Sequence, residues 1–317
     1  MLAIPRRRHG FTLVELLVVI AIIGMLVSLI LPAVQSVRES ARRLACQSNM
    51  TELVLALHAY ESHNGYFPAG VVEPTGPIRN LPSGFHHNWL SSLLPYLDQP
   101  NLYRAMDFRE SVYSSSNLEA RKATLSKFLC PSSIHPFSVT NYAGSHHSRE
   151  APIDSSNDGL FVRNRSFRMD DVPDGLFCTI GIGEKILDAT DYGWASGTRS
   201  SLRNLGSPIN RGSVATRAHH RVVIDPSEVE TLLANEPNKN GASAAEMEVY
   251  APKGYLETLT GSPSGALEVG PFSSMHPAGL HFGYADGSVR FQALFTDIGV
   301  LRQCANRMDG QPLTLSE

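Results

Sequence analysis

Residues 16–37 carry no charged side chain over 22 consecutive positions, and this run constrains the chain more than any other feature. A helix rises about 1.5 Å per residue, so roughly 20 apolar residues cross a bilayer core. The run is long enough to span. A cleaved secretory signal has an apolar core of only about 7–15 residues followed by a small-residue cleavage site, so this segment is expected to stay with the protein. Arg6, Arg7 and Arg8 precede it, whereas Arg38, Glu39, Arg42 and Arg43 follow it. That asymmetry leans only weakly toward a cytoplasmic N-terminus. Glu15 stands at the start of the apolar span, where a carboxylate costs on the order of 2–3 kcal/mol to insert unless it finds headgroups or a partner. The plain reading of Glu15 is a carboxylate at headgroup depth, near the positive end of the helix dipole.

Past residue 37 the pattern turns amphipathic. Cys46, Met50, Leu53, Leu57 and Tyr60 recur at spacings of four and three, which places them on one helical face. Arg42, Arg43, Gln47, Asn49, Glu52 and Glu61 occupy much of the rest. Asn64-Gly65 followed by Pro68 is a stop signal. One helix of about 80 Å is therefore predicted from Phe11 to about His63, with a kink at Pro32. Its apolar stripe is expected to pack on a sheet; it holds the pattern for too few heptads to favour a coiled coil.

The remainder reads as a loop-rich exported body, with 25 Gly and 20 Pro in 317 residues. Short helices are predicted over 89–97 and 101–106, split by Pro100, and over 117–128. Strands are predicted over 159–163, 177–183 and 221–224, with a surface loop over 234–245. The clearest hairpin pairs 280–285 with 288–293 around Asp286-Gly287, a dipeptide suited to a type I′ turn. With a formal net charge of −3 and no long basic run outside the N-terminus, nucleic acid is not an expected partner. Cys46, Cys130, Cys178 and Cys304 contain no CxxC pair. In an oxidising compartment they allow one or two disulfides, and their spacing does not choose among the three possible pairings.

The string Gly10-Phe11-Thr12-Leu13-Val14-Glu15 and the apolar residues after it resemble the class III signal of type IV prepilins and type II secretion pseudopilins. The resemblance implies cleavage between Gly10 and Phe11 by prepilin peptidase and methylation of the new terminus at Phe11. It also implies pairing of Glu15 with a neighbouring subunit's terminal amine during assembly. His276, nine residues, then Asp286-Gly287 resembles the ending of a large bacterial family of unknown function with the same kind of N-terminus. Leu57-His58, Phe67-Pro68, Leu93-Leu94-Pro95-Tyr96-Leu97, Phe128-Leu129-Cys130-Pro131-Ser132, Asn141-Tyr142-Ala143-Gly144 and 181–184 fit that family too. Cys178 stands where this family leads one to expect a polar residue, which leaves Cys46 and Cys130 as the bridge the resemblance implies.

The expected architecture is α+β and pilin-like: a long transmembrane-plus-amphipathic helix packed on an antiparallel-sheet domain. Its parts are a leader over 1–10, a transmembrane helix over 11–37, an amphipathic continuation over 38–64 and a periplasmic body over 65–317 ending in a hairpin over 280–293. The resemblance places it in the bacterial inner membrane as a single pass, N-terminus cytoplasmic, body periplasmic or at the cell surface. Expected partners are the peptidase, membrane lipid, and copies of itself or other pseudopilins.

Little in the residues points to catalysis. The adjacent pairs His86-His87, His146-His147 and His219-His220 would point to opposite faces of a strand. No HExxH or zinc-spaced Cys/His pattern occurs, and no GxSxG elbow or full dinucleotide fingerprint is present. No metal site and no cofactor are expected, with calcium near Asp286 and Asp297 a minority idea lacking EF-hand spacing. His276 is expected to bond a loop near Asp286. The leading role is a non-enzymatic filament or secretion-apparatus subunit. Its rivals are a membrane-tethered recognition protein that never polymerises and an exported hydrolase on a similar anchor.

Overall fold

A computed structural model describes residues 13–133, 138–187, 191–210 and 267–310. Helix α1, Leu13–Asn64, is 52 residues long and continues through Pro32; at 1.5 Å per residue it reaches about 78 Å. It divides by environment. Leu13 to Val37 leaves its large apolar side chains exposed, whereas Cys46, Met50, Leu53, Val54, Ala56 and Leu57 are buried. Of the predicted stripe, only Tyr60 stays partly open.

The buried stripe lies on a five-stranded sheet ordered β5-β3-β4-β6-β7, with β3 Tyr142–His147, β4 Ile180–Glu184, β5 Leu202–Asn204, β6 Gly279–Tyr284 and β7 Val289–Ala293. Alternation along β6 explains the layering. Leu280, Phe282 and Tyr284 join Ile180, Phe272 and Leu301 in one core cluster. The opposite face presents His281 and Gly283, and a Cβ on Gly283 would lie 2.5 Å from Val54 of α1. Glycine therefore allows the helix to sit down on the sheet. The far face is covered by a terminal helix, Ile298–Ala305, called α5 below, whose first N–H groups are capped by Asp297.

The α+β architecture is as expected, but the sheet is mixed rather than antiparallel. Strand β5 runs parallel to β3, with Gly144 opposite Leu202 and Ser145 opposite Arg203. Three residues, Leu-Arg-Asn, carry no alternation from which a strand could be read. Strands β1 Val71–Val72 and β2 His87–Asn88 form a separate small antiparallel pair.

Other local expectations shift for identifiable reasons. Asn88 caps a short helix α2, Trp89–Leu93, which tightens into a 3₁₀ turn at Leu94–Leu97. Pro100 starts α3, Pro100–Ala105, instead of merely preceding it, because a first-turn residue needs no amide hydrogen. The helix expected over 117–128 shrinks to α4, Leu118–Arg121, and a 3₁₀ turn at Ser126–Phe128. Tertiary donors take the carbonyls between them: Ser138 Oγ bonds Lys122 O and Trp194 Nε1 bonds Ala123 O.

The segment over 159–163 is not a regular strand. Its amides bond β3 carbonyls at His146 and Ser145, and a Cβ on Gly159 would meet the His146 backbone at 2.4 Å. The strand expected over 177–183 starts three residues later, as β4. Those expected over 221–224 and the loop over 234–245 lie outside the described residues.

The C-terminal hairpin forms in the expected place with a different turn. Gly287 N–H donates to Tyr284 O, Tyr284 N–H donates to Ser288 O, and Gly287 has φ +94° while Asp286 keeps an ordinary negative φ. This is a type I turn closed by a left-handed glycine, not type I′, which needs positive φ at both central residues. Asp286 is held by accepting from Ser288 N–H at 2.9 Å and Ser288 Oγ at 2.7 Å.

Candidate functional site

Two places in the chain concentrate unusual chemistry, and α1 connects them. The first is its N-terminal half. From Leu13 onward the large apolar residues are open, Leu13 by 78% and Val37 by 69%. Apolar surface on that scale must be covered by lipid or by other helices. Glu15 lies in the first turn on this surface. Gly10 and Phe11 lie outside the described residues.

The second is where the helix leaves the apolar segment and meets the body. Glu39, two residues past the uncharged run, accepts from Arg42 at 2.7 Å and lies 2.6 Å from Nδ1 of His276. His276 is 1% exposed. Its Nε2 is 3.7 Å from Oε1 of Glu184 and 3.6 Å from Sγ of Cys130. The same Glu184 oxygen is 2.8 Å from Nδ1 of His281 on β6. A chain of Glu39, His276, Glu184 and His281 thus runs from helix to sheet. Burial raises the Glu39 carboxyl pKa, but the His276 and Arg42 hydrogen bonds outweigh it and hold it below the ordinary value. Local structure explains the placement: Glu184 ends β4 and continues the helix-facing side set by Ile182, and His281 alternates with the apolar Leu280 and Phe282.

A disulfide between Cys46 on α1 and Cys130 lies against this chain, the pairing that the family resemblance implies. Nearby bonds hold the same junction. Asn49 Nδ2 donates to Leu129 O at 2.8 Å, Tyr142 OH donates to Cys46 O at 3.1 Å, and Lys127 pairs with Glu52.

His276 therefore does not bond a loop near Asp286. The nine residues between them include β6, so His276 turns to α1 and β4 while Asp286 and Gly287 sit in the hairpin turn. Asp286 accepts from Ser288 and pairs with Arg290 at 3.3 Å. With an arginine on one aspartate and Asp297 spent on capping α5, this donor set does not fit calcium, a cation that needs six or more oxygen ligands.

The histidine pairs have separate interior roles. His86 Nδ1 meets Tyr113 OH at 3.0 Å, and that hydroxyl meets Ser196 Oγ at 2.6 Å. Burial pushes the His86 pKa down to about 4, against the pull of Glu73. His146 is 3.2 Å from Asn157, and burial takes its pKa to about 3. His147 lies 2.6 Å from Asp158, which also accepts from Ser148. His219 and His220 lie outside the described residues.

Three residues of the junction escaped the sequence reading: Glu39, Glu184 and His281. Their signal was present but weak, a carboxylate ending an otherwise apolar Gly-Ile-Gly strand and a histidine inside an apolar one.

Comparison with known proteins agrees with this division. A family model described as a protein of unknown function (DUF1559) matches residues 35–299, and a prokaryotic N-terminal methylation motif matches residues 5–31. The type II secretion system core protein G of Pectobacterium carotovorum subsp. carotovorum is 40% identical over 63 residues, which is 20% of this chain and 40% of that one. The protein of that name from Dickeya chrysanthemi is 37% identical over 86 residues, 24% of this chain and 56% of that one. The one from Pseudomonas aeruginosa is 33% identical over 78 residues, 22% and 55% respectively. The chain spans about half the length of the curated relatives it matches. No solved structure matches it. The methylation motif and the open apolar helix make this a membrane-anchored, pseudopilin-like protein.

Proposed function

The chain belongs to the DUF1559 family of proteins of unknown function, and from that premise we propose that it is a non-enzymatic subunit of a type II secretion or type IV pilus-like assembly. Prepilin peptidase cuts between Gly10 and Phe11, and Phe11 becomes the methylated terminus. The N-terminus begins on the cytoplasmic side of the inner membrane and the body lies on the periplasmic side. The observation that carries this reading is the open apolar half of α1 with Glu15 in its first turn, continuous with a half that is docked on the body. In a bundle of such helices a neighbouring terminal amine neutralises the carboxylate that lipid would penalise.

Mass spectrometry of the mature protein should find methylated Phe11; an intact leader would sink the processing step. Glu15→Ala should leave cleavage intact and abolish cross-linking between α1 helices.

A second reading has its own support. Similarity to the secretion proteins covers only 20–24% of this chain, so the large body carries surface those relatives do not share. A membrane-tethered recognition protein that never polymerises would use the same anchor. It gains if the Glu15→Ala protein cross-links no differently from wild type.

A further inference from the structure

We propose that Glu184, His276 and His281 bind one divalent transition-metal ion of the zinc type, beside the junction where Glu39 of the membrane helix meets His276. The three ligand atoms lie within 4.8 Å of one another. Around a tetrahedral ion with bonds of about 2.0–2.2 Å, ligand atoms stand about 3.3–3.5 Å apart. The observed 3.7 Å from His276 Nε2 and 2.8 Å from His281 Nδ1 to Glu184 Oε1 bracket that spacing. Small side-chain rotations open one contact and close the other.

The polarity of the site calls for a cation. Glu39, 2.6 Å from Nδ1 of His276, accepts from it, so in the neutral imidazole the lone pair is on Nε2, which faces the carboxylate of Glu184. A lone pair and an anionic oxygen repel unless a positive charge lies between them. Glu184 is 2% exposed, and its second oxygen, Oε2, is buried with no hydrogen-bond partner among the described residues. A buried unsatisfied carboxylate oxygen costs on the order of 1–3 kcal/mol or more. A metal ion held by both oxygens, or by one with a water as fourth ligand, satisfies it.

The surroundings match a metal centre beyond the three ligands. A histidine ligand typically donates its other ring N–H to a carboxylate, which sets tautomer and orientation; Glu39 has that position on His276. Arg42 sits on Glu39, not on Glu184, and Arg43 lies over the Phe291 ring, which packs edge-on against His281. Cys130 is close, but its sulfur is bonded to Cys46 and offers no thiolate. Two imidazoles and a carboxylate without thiolate suit zinc, and zinc has no redox chemistry to be disturbed by an oxidising compartment. The rival occupant of the same gap is a proton on His276.

The full chain, purified in detergent with its disulfide intact and stripped with chelator, would be titrated with Zn²⁺ by calorimetry and with Co²⁺ by visible spectroscopy. The expected result is one ion per chain. Bound Co²⁺ should show the strong ligand-field bands of four-coordination and no sulfur charge-transfer band. His281→Gln should abolish uptake, Glu39→Gln should weaken it about 10–100-fold, and His63→Gln, an exposed site at the end of α1, should leave it unchanged. If stripped wild type takes up neither ion stoichiometrically, the gap holds a proton and the proposal is wrong, whatever the variants do. Uptake that persists in His281→Gln, or a sulfur band on Co²⁺, overturns it as well. None of these readouts depends on leader processing.

Discussion

Replacing both cysteines of the bridge, Cys46→Ala with Cys130→Ala, tests how the helix is held to the body. The cysteines are 84 residues apart in sequence. In the chain-entropy description, closing a loop of that length removes about 15 cal/mol/K from the unfolded state, or about 4.5 kcal/mol at 25 °C. Measured losses for native disulfides run from about 2 to 5 kcal/mol, and the non-covalent bonds at the junction survive the change. A loss of about 2–4.5 kcal/mol is therefore expected. Trp89 and Trp194 are fully buried in the core beside the junction, so their fluorescence during urea unfolding of the detergent-solubilised chain reports the body. The entropic origin adds a second expectation: without the cross-link the unfolded chain expands, and the dependence of stability on urea steepens. A double variant within about 0.5 kcal/mol of wild type would refute the reasoning, as would peptide mapping that joins either cysteine to Cys178 or Cys304.

Gly283→Ala places a methyl group 2.5 Å from a methyl of Val54, a stiff β-branched side chain. It should cost about 1–3 kcal/mol, part of it recovered by adding Val54→Ala; urea midpoints equal to wild type would show that α1 does not press on β6 there. Acid should also loosen the body. Burial lowers the pKa values of His86 to about 4 and His146 to about 3 from the ordinary 6.5. The unfolded chain thus binds more protons below pH 6.5, so their contribution is complete above that pH and lost as pH falls. Each adds up to about 1.4 kcal/mol per pH unit. Urea midpoints that stay flat between pH 7 and pH 5 would contradict this.

The elements legible in the sequence are those whose signal is periodic or local. The uncharged run, the stripe from Cys46 to Leu57 and the hairpin around Asp286-Gly287 each announce themselves within a few turns or residues. Charge, apolarity and spacing suffice for these, because the solvent or bilayer around a long element selects its pattern directly. The same reasoning fails at 117–128, where Trp194 and Ser138, distant in sequence, remove the carbonyls a longer helix would use. It fails at β5 too, since three residues gain strand geometry only by lying beside β3.

By itself, then, the sequence determined that this chain carries one long helix, that the helix turns from uncharged and apolar to amphipathic near residue 38, and that a carboxylate, Glu15, stands at the start of the apolar part. Only the tertiary structure decided what meets at that change of character. Glu39, Cys46, Cys130, Glu184, His276 and His281 are spread from residue 39 to residue 281 of the chain. The sheet order that places β6 beside β4, with α1 packed on β6, brings them together. Charged and imidazole groups reveal their chemistry through distance and burial, and both are set by the packed sheet rather than by spacing along the chain.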